Sequence, residues 1–161
     1  MSVDNFVEHD RRGFSISGNE PFDPSKFCNK EGEVYKGALQ IERVSWTDKN
    51  RTSHEMSSHH LLVEVLPDRS GLICVESATK SENLINGAFV LNEDASLRFR
   101  LEVPLDLITG DVPTTASRSF IWIEHSAFGY GLMATIEGVG DFYFELDHQS
   151  GRFLWGKPAR F

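Results

Sequence analysis

Short runs of alternating apolar and polar residues recur along this chain about every 8–12 residues, and no stretch of about ten residues carries the period of an amphipathic helix. A period of two places successive side chains on opposite faces of a strand, so the pattern predicts an all-β fold: one antiparallel sandwich or barrel of roughly eight strands, with one or two short helical turns. The length of 161 residues suits one domain with a single core and needs no metal or disulfide staple. The 40% hydrophobic content, with Phe used 12 times, places the chain among globular proteins.

The strands can be read in order. Residues 1–33 are polar and broken by Gly13, Gly18, Pro21 and Pro24, and read as an irregular leader packed on a β domain spanning 34–161, with one helical turn opened by Asp23-Pro24. From Val34 to Trp46, Tyr35, Gly37, Leu39 and Ile41 alternate with polar neighbours, and the parity then passes to Val44 and Trp46, which predicts a bulge near Arg43. Strands follow at 59–66 and 71–77, joined by the turn Pro67-Asp68-Arg69-Ser70-Gly71. After a helical turn at 84–87, strands are predicted at 88–91 and 96–103, the latter with Leu97, Phe99, Leu101 and Val103 inward. A second helical turn over 105–109, closed by Gly110, leads to strands at 118–125, 130–137, 141–146 and 152–155.

Charge and sorting signals narrow the functional classes. The 24 acidic against 16 basic side chains give a net charge of −8, and the basic residues form only scattered pairs, so neither nucleic acid nor an anionic membrane is an expected partner. No apolar run reaches the ~18 residues of a membrane span, and the N-terminus lacks the order of a signal peptide, which predicts a cytoplasmic protein. Cys28 and Cys74 are the two cysteines; Cys74 lies in the apolar run Leu72-Ile73-Cys74-Val75 and reads as a small buried hydrophobe.

Candidate chemistry centres on histidine. His54, His59 and His60 sit within seven positions, and one of the latter two could join His54, Glu55 or the remote His125 around an ion; adjacent strand residues point apart, so His59 and His60 cannot share one. The spacing matches no zinc signature, and a solvated loop explains these histidines as well, so no metal or other cofactor is called for. Glu124 and His125 end an apolar strand: His125 reaches the interior if Ile121 and Ile123 face the core, and Glu124 does so if Phe120 and Trp122 do. Asp147-His148 reads as a turn. Gly129-Tyr130-Gly131-Leu132-Met133-Ala134 fits the loose dinucleotide pattern but lacks the helix that pattern requires, so its glycines are assigned to a bend or bulge. There is no G-x-S-x-G, P-loop, H-E-x-x-H, C-x-x-C or calcium-loop pattern.

Aromatic residues concentrate in the C-terminal third. Phe142 and Phe144 share one face with Tyr143 opposite, and strict alternation puts Phe153 and Trp155 together, opposite Leu154. Such a strand either lies between two layers or shows one face to a ligand. The leading expectation is a non-enzymatic domain binding a protein partner or small apolar ligand through Trp122, Phe128, Tyr130, Tyr143 and Trp155 and the nearby loops. An acidic chain of this kind also suits an inhibitor or immunity-type protein meeting a basic target. The alternative is a small cofactor-independent isomerase, cyclase or hydratase using His59, His60, His125 or Glu124 in a cavity. A homodimeric structural subunit is the third reading.

Overall fold

The structure, a computed structural model, describes residues 2–10, 15–17, 41–57, 61–76, 85–126 and 129–159. Among these, thirteen strands form three sheets. The N-terminal sheet holds β1 (Asp4–Asp10), β2 (Ser15–Ser17), β3 (Ile41–Thr47) and β4 (Ser53–Ser57) in the order β2-β1-β3-β4. The middle sheet holds β5 (Leu61–Val65), β6 (Gly71–Glu76), β8 (Ala88–Asn92) and β9 (Leu97–Leu101) in the order β5-β6-β8-β9. The C-terminal sheet runs β13-β12-β11-β10-β7, from β7 (Ile85–Asn86), β10 (Arg118–Ser126), β11 (Gly129–Ile136), β12 (Gly140–Asp147) and β13 (Arg152–Pro158). All pairings are antiparallel except β7 with β10.

The layering follows from β6. Leu72 and Cys74 pack with Val3, Phe6, Val44 and Trp46 of the N-terminal sheet side, while Ile73 and Val75 pack with Phe120, Leu132 and Phe144 of the C-terminal sheet. A strand covered on both faces must be apolar at every position, which is why Leu72-Ile73-Cys74-Val75 shows no alternation. β8 divides the same way, with Ala88 and Val90 in one core and Phe89 and Leu91 against the other. The molecule is therefore a sandwich of three β layers with two cores, and each fully buried Leu, Ile or Val contributes ~1.5–3 kcal/mol.

Several local expectations change. Residues 4–10, expected to be irregular, form β1; its register shifts between Asp4 and Val7, and Asn5 takes a left-handed conformation (φ 52), so an alternating pattern never develops. Ile85–Asn86 extend alongside β10 instead of coiling, as two residues held by a neighbouring strand need no pattern of their own. In β9 the register shifts at Arg98, and Leu97 faces solvent. Arg98 folds back, its Nε donating to Asn92 Oδ1 at 2.6 Å and an Nη to the Ser70 carbonyl at 2.9 Å. A charged side chain that can reach such acceptors is no marker of the solvent face.

Other features agree. In β3, Arg43 pairs with His9 and Ile41 with Asp10, leaving Glu42 as the extra residue beside the expected bulge. Leu105–Leu107 make a 3-10 turn, and Gly110 has φ 118. The predicted strand segment 34–40 and the turn at Asp23-Pro24 lie outside the described residues.

Candidate partner-binding face

β10 and β13 each carry one residue too many for regular pairing. In β10, Phe120 pairs with Ala134 and Trp122 with Met133, so Ile121 is bulged; in β13, Phe153 pairs with Leu146 and Trp155 with Glu145, so Leu154 is bulged. Each bulge reverses the parity within a Phe-aliphatic-Trp triplet. The phenylalanines turn inward and stack, with ring centroids 5.9 Å apart, whereas the tryptophans turn outward. This corrects the expectation that Phe153 and Trp155 share a face, and both branches of the expectation for β10. Ile121, Trp122, Leu154 and Trp155 are consequently exposed by 40%, 45%, 58% and 42%. Apolar side chains of this size concentrated on one sheet mark a site of contact more often than scattered surface leucines do.

Cross-strand register lays out the outer face of this sheet in two rows. Trp122, Met133, Tyr143 and Lys157 form one, and Glu124, Gly131, Glu145 and Trp155 form the other. Gly131 is glycine for a steric reason: a Cβ there would lie 2.2 Å from the Tyr143 ring, which rests on the bare backbone. The expected bend or bulge at this glycine is thus replaced by a close approach. From that position the Tyr143 hydroxyl donates to Glu145 Oε2, and Glu145 is only 2% exposed. The Trp155 ring leans on Tyr143 at 5.5 Å and 47°, and Lys157 Nζ sits 5.7 Å from the Tyr143 centroid and 5.8 Å from that of Trp155. The result is a floor of Met133 and Tyr143 between two exposed indoles, with an ammonium already resting on its aromatic surface.

The remaining candidates are distributed elsewhere. Glu124 is exposed on this outer face, not aimed into the interior. His125 pairs through its backbone with Tyr130; the Tyr130 ring packs half-buried against the core between the middle and C-terminal sheets, where burial and then Glu64 push its hydroxyl up to about 12. His54 stacks on Trp46 at 5.5 Å, with Nε2 2.8 Å from Asp48 Oδ2. That hydrogen bond, helped by the backbone amides of Thr52 and Asn50, holds the Asp48 carboxyl below its usual range. His54 is thereby a closing element of the β3–β4 turn. Among the described residues no three His, Cys, Asp or Glu side chains converge as a metal site; His59, His60 and Phe128 lie outside them. His148 is 3.3 Å from Asp68, linking two turns, and Asp147 caps its own turn through Gln149 and Ser150.

Trp122, Tyr143 and Trp155 are thus brought together, and Tyr130 is not. Ile121, Met133, Glu145, Leu154 and Lys157 belong to the same face and were not singled out by the sequence. The twice-used triplet, Phe120-Ile121-Trp122 and Phe153-Leu154-Trp155, is the signal that marks both bulges.

No helix among the described residues is long and apolar enough to cross a membrane. No protein-family model and no curated protein matches the sequence. Among solved structures, a chain in the structure of Tne2 in complex with Tni2 superposes with a TM-score of 0.76 over 98% of this chain and 99% of that one, at 18% identity. That likeness is one of fold.

Proposed function

We propose that this chain is a non-enzymatic binding domain that docks a protein partner on the outer face of its C-terminal sheet. The observation that carries this reading is the pair of bulges that turn Trp122 and Trp155 outward with Ile121 and Leu154 beside them. Large aromatic residues over a well-packed floor are the typical energetic centre of a protein interface. The tied-down floor supports the same reading, because Tyr143 is fixed by Gly131 and Glu145 and needs no reordering on contact. A fold neighbour drawn from a two-protein complex is consistent with it.

The test is site-directed photocrosslinking in cells. With Leu154→p-benzoylphenylalanine, irradiation should join the chain to one protein; the same group at Ser53, exposed on β4 in the N-terminal sheet, should not. Equal adducts from both positions, or none from Leu154, would remove the reading. Native mass spectrometry of the purified chain covers the small-ligand version: a bound apolar mass lost on Trp155→Ala would replace a protein partner with a ligand.

A further inference from the structure

Resting on the reading of this face as a docking surface, we propose that its occupant is a cationic segment of another protein, whose Arg or Lys side chains lie on the exposed indoles. The outer face of β10–β13 carries Glu124, Asp141 and Glu145 against Lys157 as its basic residue, and the whole chain carries −8. A partner with matching positive charge is favoured in both approach and register. Lys157 shows the local mode of contact, an ammonium over the Tyr143 and Trp155 rings. Trp122 stands three strands away, about 14 Å at the usual spacing, with Glu124 two residues further along the same face of β10. An arginine seated there would meet an indole and a carboxylate together, the pairing that its planar, weakly hydrated guanidinium suits best. Charge also decides against a second copy of this chain, since a two-fold contact through this face would bring its acidic residues against one another. An uncharged apolar ligand would use the indoles and leave Glu124 without a role.

The experiment titrates the full chain with three synthetic peptides of equal length, alternating Leu with Arg, with Ser or with Glu. The chain has three tryptophans, of which Trp46 is buried, so a change in indole emission reports Trp122 and Trp155. Calorimetry reads the variants. The Leu-Arg peptide should shift the emission, bind at least about tenfold tighter than the other two, and weaken as salt rises. Binding should fall about tenfold or more in Trp122→Ala/Trp155→Ala and less in Glu124→Gln, with Trp122→Phe as a milder variant should the double change lower the melting temperature. Equal binding of all three peptides, lost in the double variant, would overturn the cationic occupant and keep the docking face. Leu-Arg binding unchanged in the double variant would overturn the face itself. A dimer in sedimentation dissolved by Trp155→Ala would replace the partner with a second copy, and binding of no peptide would overturn the proposal.

Discussion

At the scale of single residues, the three tryptophans separate by environment. Trp46 is 2% exposed, donates from Nε1 to the Glu93 carbonyl at 2.7 Å and stacks on His54. Trp46→Ala should therefore cost about 3–5 kcal/mol, read as a lower midpoint in urea with an unchanged slope. Trp122→Ala, which opens no enclosed cavity, should cost under about 1 kcal/mol, and an equal loss from both would contradict the outward turn of β10. Gly131→Ala should cost about 1–3 kcal/mol by overpacking. That penalty should shrink in a Tyr143→Ala background, because the ring is what the new methyl meets. No composition or spacing rule exposes this pair: the glycine and the tyrosine are twelve residues apart, and only the β11–β12 register joins them.

At the scale of elements, alternation located strands well and failed where one residue was added. β5–β6, β8–β9 and β12–β13 were legible because turn residues such as Pro67-Asp68 and Asp147-His148 flank clear apolar runs. β1, β9, β10 and β13 each contain a register shift, and there the side assigned to a residue beyond the shift was reversed or unreadable. The candidate site lies on two of those shifts, so its residues could be nominated by composition and not placed by pattern. Deleting Leu154 tests whether its bulge serves the face or the fold. The deletion leaves Phe153 opposite Leu146 and Trp155 opposite Glu145, so both keep their sides. We expect a cooperative melt within a few degrees of the parent and weaker binding at the face; loss of cooperative folding would make the bulge a requirement of the sheet.

At the scale of the whole molecule, the all-β class followed from periodicity, but three layers did not, because stacking order is set by contacts between distant strands. The apolar run of β6 is the local trace of its central place, and it equally fits the middle of a two-layer fold. The turns that close these layers are acidic, and this gives the assembly a defined pH response. Hydrogen bonds from His54, Ser96 and Ser150 hold Asp48, Asp94 and Asp147 respectively below the ordinary 3.8. A carboxyl with a lowered folded pKa contributes stability above its unfolded value, and that contribution is lost as the pH falls through the folded one. His9, lowered from 6.5 by burial and then by Arg43, has the same sign: the folded state prefers the neutral ring, so stability declines as the pH falls below 6.5. The melting temperature should therefore be flat near neutrality, dip slightly below pH 6.5, and fall steeply below about pH 4. Asp48→Asn should lower it at neutral pH and flatten the acid limb, since the amide cannot lose a charge it never had. An acid limb unchanged by Asp48→Asn in thermal scans across pH would move the acid response to the other turns and leave the β3–β4 hairpin out of it.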